Sequence, residues 1–542
     1  EIGPADLGAF ANALPDSLYG QVAAETANAP RPFEQRIAIF GKEDFVLRAD
    51  GEIVAPRLVG TENRIRTVRD EITGDPLPEV PGQKRQAVVA LTLSYPLEGT
   101  PRMLSFSPPA SGDGGLLSIK IGIIAYHRGV AINDFRYLGR REILYLDWED
   151  PWYSKFRNPN FKRRFSAPVQ GFLYMEPFEV RKEIVARVVD LEEWIDLGLG
   201  EGEFIPAAAQ PEIARKAAEF LLARSPVTID GKRIEPVLDR AHFLRRSLRQ
   251  TTVVDPPEDL PRLSATLGVI IIYPVDHLPE AVEMEWDLFT ARTNSMLGVL
   301  TDEAGSLPQQ VSPDFPTLRW KNFLTNPTVP SFTELEPPPR KGRLQIPIPS
   351  LLLALAFIVL RIRRGSGAVS ASSRGSRIGS IALLAAAILL WPVGRISLEN
   401  PLAKTPVPGE AESRALLEGL LRNTYLAFDH REENLIYDTL ARSVAGDLLT
   451  EVYLDIRRAL ELQNQGGARA KVKTVKLGEA QSRPRDGGPA FVANCTWTVA
   501  GAVGHWGHVH ERRNQYRAEI TVSPEGGSWK ITALELLDEQ RL

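Results

Sequence analysis

Three of the chain's seven histidines, His505, His508 and His510, fall within six positions of the stretch VGHWGHVHERRNQY, Val503 to Tyr516. On a strand, His508 and His510 are i and i+2 and point the same way. With His505 from a turn they make three nitrogen ligands, a set that suits zinc or copper. Either could instead serve as a general acid or base, with Asn514 and Tyr516 as binding groups. The third reading is a polar hairpin whose face, Arg512, Asn514 and Tyr516, meets a partner or another domain. No acid or cysteine is fixed beside the histidines: Glu511 faces the other side and Cys495 belongs to the neighbouring strand. That favours the polar hairpin, with no cofactor, and leaves the zinc or copper site as the alternative.

The elements that must position this stretch lie in residues 410–542. ESRALLEGLLRNTYLAF places Leu416, Leu417, Leu420, Leu421 and Tyr425 on one helical face. ENLIYDTLARSV and GDLLTEVYLDIRRALELQ continue as helices, and four strand-like segments follow: ARAKVKTVKLGEA, AFVANCTWTVAG, VHERRNQYRAEITVS and SWKITALELLDE. Gly504 and Gly507 bracket a turn. Beyond it the even positions run His508, His510, Arg512, Asn514, Tyr516, Ala518, Ile520, Val522, polar near the turn and apolar at the far end. The expectation is an α+β domain, helices first and then a four-stranded antiparallel sheet. This element order, with the helix pair YLAFDHREENLIYDTLA, is similar to the nuclear transport factor 2-like superfamily. That resemblance implies a cone-shaped fold, of the kind found among periplasmic scaffold subunits. The histidines are then expected to line the open mouth of the cone.

A chain of 542 residues exceeds one core, so several domains are expected. Two uncharged runs divide it. LQIPIPSLLLALAFIVL, 344–360, and IGSIALLAAAILLWPV, 378–393, are predicted as short transmembrane helices. The 361–377 segment between them holds Arg361, Arg363, Arg364, Arg374 and Arg377 and no acid, which predicts a cytoplasmic loop. Trp391 is expected at the interface as an anchor. The flanking regions then share the opposite side. The resulting expectation is a bacterial inner-membrane protein with both large parts in the periplasm and Glu1 left by a cleaved signal peptide. The linkers 336–343 and 394–409 are proline-rich and read as extended stalks.

Self-comparison predicts a tandem repeat in the N-terminal part. FVLRADGEIVAPRL (Phe45–Leu58) matches PVTIDGKRIEPVL (Pro226–Leu238), and LTLSYPLEGTPRMLSFS matches VIIIYPVDHLPEAVEMEW. The paired marks Asp50/Asp230, Tyr95/Tyr273 and Trp148/Trp320 keep their order at offsets of 180, 178 and 172 residues. Two β-sandwich-like domains, 1–165 and 166–335, are expected, with Asp50-Gly51 and Asp230-Gly231 as hairpin turns. QPEIARKAAEFLLARS reads as a helical insertion. The 42 prolines, about 8% against a usual ~5%, agree with turn-rich β structure.

Chemistry in this part is sparse. DWEDPWYSKF (Asp147–Phe156) gathers three acids with aromatics, a set calcium or a carbohydrate could use, but it reads more simply as a strand end and packed loop. FRNPNFKRRF is basic and reads as a solvated face. His127, His242 and His277 are scattered, and no nucleophile motif or phosphate loop occurs in the first 340 residues. A net charge of −4 carries no field for nucleic acid. One cysteine leaves the redox compartment unreadable. The expectation is a membrane-anchored structural or interaction protein of a bacterial envelope, not an enzyme. Its expected partners are the lipid bilayer and either envelope proteins or further copies of itself. The alternatives are a periplasmic metal-binding protein using His505, His508 and His510, or a ligand-binding or catalytic C-terminal cone.

Overall fold

The computed structural model describes residues 1–26, 31–66, 86–109, 121–246, 251–337, 343–365, 374–399, 407–430, 432–465, 469–485, 488–506 and 508–542. Two units divide the chain. The first holds Glu1–Val329, Leu462–Arg469 and Gly504–Val509; the second holds Pro330–Glu461, Ala470–Val503 and His510–Leu542.

In the first unit the two Asp-Gly dipeptides make hairpin turns of the same construction. Val46–Ala49 turns through Asp50-Gly51 into Glu52–Ile53 and pairs antiparallel with Met103–Ser107, which pairs with Glu142–Tyr145. Val227–Ile229 turns through Asp230-Gly231 into Lys232–Arg233 and pairs antiparallel with Ala281–Glu285, which pairs with Thr317–Lys321. Both aspartates are left-handed, at φ 47° and 48°, a conformation that Asp tolerates better than most residues. Asp50 Oδ1 accepts from the backbone N–H groups of Arg102 (3.0 Å) and Met103 (2.9 Å). Asp230 Oδ1 accepts from those of Glu280 and Ala281, both at 2.8 Å. The following strand pairs, Arg57–Ile65 with Ala87–Ser94 and Val237–Arg246 with Thr266–Pro274, each carry a register shift, at Leu58/Gly60 and at Leu238/Arg240. The third expected mark does not correspond. Tyr145 pairs with Met103 and Lys321 with Ala281, so Trp320 stands where Leu144 does, and Trp148 has no counterpart in it.

The largest hydrophobic cluster of this unit lies between two sheets. One has seven strands in the order Thr251–Val253, Val237–Arg246, Thr266–Pro274, Glu179–Arg187, Val169–Glu176, Met296–Asp302, Gly305–Val311. The other has four strands and includes Ala281–Glu285. The 3.6-residue period of helix Gln210–Leu222 selects Ile213, Ala217, Phe220 and Leu221; Ile213, Ala217 and Leu221 are buried in the same cluster and Phe220 is half-buried against it.

The central strand Glu179–Arg187, EVRKEIVAR, is buried at all nine positions although five are charged. Each face is buried by a different device. Val180, Ile184 and Ala186 enter the intersheet core, and Lys182 shares their face. Its amine donates to the carbonyls of Arg224 (2.8 Å) and Ser225 (3.1 Å). Arg181 pairs with Glu183 on the other face at 3.2 Å. Arg187 forks onto Asp190 (2.6 Å) and Asp150 (2.5 Å), so its charge is doubly matched.

In the second unit, helix Glu410–Leu426 sets Leu416, Leu417, Leu420 and Leu421 against a sheet ordered Arg469–Pro484, Phe491–His505, His508–Glu525, Ser528–Arg541. Phe491, Ala493, Cys495 and Trp497 face this core from one strand, and Ala518, Ile520 and Val522 from the next. The end of the region expected to be the second repeat, 166–335, is packed into this unit instead. Thr333 exchanges two hydrogen bonds with the Asn423 side chain, 3.0 and 2.8 Å. The Leu335 carbonyl accepts from the Trp529 backbone N–H at 2.8 Å.

The expected transmembrane hairpin is corrected here. Among the described residues no helix is long and apolar enough to cross a membrane. The 344–360 run does not fold as one helix: Arg343–Pro347 is a strand, paired antiparallel with Arg395–Glu399, and the helix is Ile348–Gly365. Its uncharged part, Ile348 to Leu360, is thirteen residues, or about 20 Å at 1.5 Å per residue, against a hydrocarbon core of about 30 Å. The second helix, Arg374–Leu389, ends four residues before the 378–393 run does. The inner-membrane placement with periplasmic flanks and a cytoplasmic 361–377 loop loses its basis. So do the anchoring roles assigned to Arg361, Arg363, Arg364, Arg374, Arg377 and Trp391. Residues 366–373 of that loop lie outside the described residues, as do 338–342 and 400–406 of the two linkers.

Candidate functional site

The histidine stretch forms the tip between strands Phe491–His505 and His508–Glu525. The side chains of His505, His508, His510 and Arg512 lie outside the described residues. Among the described residues no group of three or more His, Cys, Asp or Glu side chains could hold a metal ion. The residue at the centre of the tip is described, and it is fully buried. Trp506 sits at φ +48° in the first unit, among Phe172, Tyr174, Val185, Leu244, Ile270 and Ile272. Its backbone N–H donates to Glu183 Oε2 at 2.6 Å. Burial pushes the Glu183 carboxyl up to about 7, against the pull of Arg181 and of that N–H. Sequence reading passed over Trp506 because its neighbours in space lie more than 200 residues upstream.

Asn514 and Tyr516 do come together, and with more than each other. Asn514 Nδ2 donates to Tyr516 Oη and to Glu539 Oε1, each at 3.2 Å. The Tyr516 ring stacks on Trp497 with centroids 5.4 Å apart, and Trp497 Nε1 donates to the Tyr425 hydroxyl at 3.1 Å. Burial raises the pKa of both phenols. They are held protonated, as hydrogen-bonding groups, and are poor general bases. Trp497 is a buried core residue and the two tyrosines pack against that core, so this cluster is a rim of the core without a nucleophile.

The acidic cluster of DWEDPWYSKF is spent on structure. Asp147 Oδ1 accepts from the N–H groups of Glu149 (3.1 Å) and Asp150 (2.9 Å). Asp150 caps the turn at Trp152 and pairs with Arg187. Burial would raise the Asp150 pKa, but the Arg187 hydrogen bonds and charge outweigh it and hold it low. Sequence reading also missed a serine–histidine contact: His127 Nδ1 lies 2.8 Å from Ser154 Oγ. Both residues are buried, and burial depresses the His127 pKa. A serine closed off from substrate is no nucleophile for catalysis. His277, exposed, sits between Asp230 (2.9 Å) and Asp276 (2.6 Å); 47 residues separate it from the first of these, and no motif joins them.

The most unusual surface is the helical pair Ile348–Gly365 and Arg374–Leu389. Leu351, Leu352, Leu355, Ile358, Ile381 and Ile388 are all exposed on it, and Trp391 beside it is 56% exposed. Arg361 is exposed as well; the side chains of Arg363, Arg364, Arg374 and Arg377 lie outside the described residues. Arg395 closes the base, donating to the Trp391 carbonyl at 3.1 Å and to Gln345 Oε1 at 2.9 Å. So many exposed large apolar side chains on two adjacent helices make this the candidate interaction surface.

No family model matches the chain, and no curated protein does. Among solved structures it is similar to the intermembrane space region of the chloroplast protein ARC6. The match has 16% identity and a TM-score of 0.19, covering 24% of this chain and 98% of that one. At that score the likeness decides neither fold nor role.

Proposed function

We propose that the protein is a non-catalytic interaction protein of a cell envelope, held on an anionic lipid surface by its helical pair without crossing the bilayer. The observation that carries this is the apolar surface exposed on Ile348–Gly365 and Arg374–Leu389. Its charge pattern supports the same partner. Between Arg343 and Leu398 the sequence has seven arginines and neither Asp nor Glu. An apolar face set among arginines, with a tryptophan at its edge, suits the boundary between acyl chains and anionic headgroups. Each basic residue near such a surface contributes about 1 kcal/mol. Uncharged helical stretches of about 10–14 residues suit an interfacial segment better than a span.

Vesicle co-sedimentation tests the reading. The full chain should pellet with phosphatidylglycerol-containing vesicles and release in high salt. A variant with residues 343–399 replaced by a short Gly/Ser linker should stay in the supernatant with its melting temperature unchanged. Equal binding by that variant, or no binding by the full chain, would sink the idea.

A further inference from the structure

The first unit contains a cavity of about 410 Å³, a volume within the range of small-molecule sites. Trp152, Phe165, Leu244 and Leu260 give it apolar and aromatic walls, and three arginines enter the lining: the exposed Arg245, and Arg163 and Arg246. Arg163 and Arg246 each lie over a ring: the Arg163 guanidinium carbon is 3.7 Å from the Trp152 centroid, and that of Arg246 is 3.8 Å from the Phe165 centroid. Arg163 donates once from each terminal nitrogen, to the carbonyls of Ala131 and Trp152, both at 2.6 Å. Arg246 donates from one terminal nitrogen, to Gln170 Oε1 at 2.8 Å. The Nε of each is buried with no partner among the described residues.

The charges in the lining do not balance. Glu258 is taken by an ion pair with Arg245. Among the described lining residues only Asp134 is left to face Arg163 and Arg246; Asp150 also acts on Arg163 but is paired with Arg187. Burial raises the Asp134 pKa, and its Oδ2 already accepts from the Arg164 N–H at 2.8 Å. Among the described ion pairs neither Arg163 nor Arg246 has a carboxylate. Burying guanidinium without a counter-charge is costly, and burial pulls both groups down to about 10. A planar fork with unused N–H donors is matched by a planar or tetrahedral oxyanion.

We propose that this cavity binds a small organic oxyanion, a carboxylate or phosphate monoester on an apolar body, through Arg163 and Arg246. The oxyanion supplies the missing charge, and the aromatic and aliphatic walls take the body. The cavity lies in the first unit and the helical pair in the second, so lipid binding and ligand binding can fail separately.

Thermal melting of the full chain in non-ionic detergent tests this, with phenyl phosphate, benzoate and inorganic phosphate as probes and sodium chloride at matched ionic strength as control. At about a hundred times Kd, phenyl phosphate or benzoate should raise Tm by roughly 5 °C. The better of the two assigns the headgroup. Arg246→Met should abolish the rise. Arg246→Lys, which keeps the charge and loses the fork, should weaken the apparent affinity about tenfold, and it decides the matter if Arg246→Met does not fold. No rise with either probe, a rise matched by sodium chloride or inorganic phosphate, or an undiminished rise in the Arg246 variants would overturn the proposal.

Discussion

The backbone N–H of Trp506 donates to the buried carboxylate of Glu183 at 2.6 Å, across 323 positions of sequence. The indole reaches that place because residue 268 is glycine. A Cβ there would lie 2.5 Å from Trp506 Cη2 and 2.6 Å from Leu244 Cδ1.

Gly268→Ala should therefore destabilise the first unit by about 1–3 kcal/mol, the usual penalty for overpacking a close-packed site. Chemical denaturation followed by tryptophan fluorescence measures it. A midpoint equal to wild type would mean that the indole is not held against residue 268.

Lys182 makes stability depend on pH in a defined window. Burial lowers its pKa from 10.5 to about 7 in the folded chain. Between those values the unfolded chain binds more protons than the folded one, so stability rises with pH across that window. Below about 7 both states are protonated and the dependence is flat. Wild-type stability minus that of Lys182→Met should climb from pH 7 towards 10.5. A constant difference would show an amine that stays charged in the fold.

Arg187→Met should be among the most damaging single changes in the first unit. It strands Asp150 and Asp190, both of which now face the guanidinium. Breaking a buried pair in this way costs about 3–5 kcal/mol. Replacing all three with apolar residues of similar size should recover much of the loss; a triple variant no better than the single one would place the damage elsewhere.

Asp50→Asn and Asp230→Asn probe the two hairpin turns. Both should lower the denaturation midpoint, since each aspartate accepts two backbone N–H groups. The second should also depend on pH through His277. The His277 pKa is raised by hydrogen bonds to Asp276 and Asp230. Its contribution is complete below 6.5 and lost as pH rises through the folded value. The Asp230→Asn deficit should thus shrink at alkaline pH, and the Asp50→Asn deficit should not. Parallel pH profiles would show that His277 does not engage Asp230.

Local signals in the sequence are read at full value in the structure. The Leu416–Leu421 face packs on the sheet, Ala518, Ile520 and Val522 alternate into the core, and the Asp-Gly dipeptides turn. What the sequence concealed has non-local causes. EVRKEIVAR looks like a surface strand, because its burial depends on carbonyls near residue 224 and carboxylates at 150 and 190. The apolar runs at 344–360 and 378–393 read as continuous spans because hydropathy does not register where a strand ends and a helix begins. His127 and Ser154, like the two cavity arginines, meet only once the chain is folded, and no spacing announces them.

The pairing of Arg343–Pro347 with Arg395–Glu399 has a topological consequence. Arg343 stands opposite Glu399, so the chain enters and leaves the helical pair at one point. Thr333 and Leu335, upstream of that point, already pack with helix Glu410–Leu426 and the last strand. Residues 343–399 are thus an appendage inserted into a folding unit that begins before it and resumes after it. A fragment starting at Glu410 would lack its own first segment, whereas one starting at Pro330 with the appendage excised keeps the bonds of Thr333 to Asn423 and of Leu335 to Trp529.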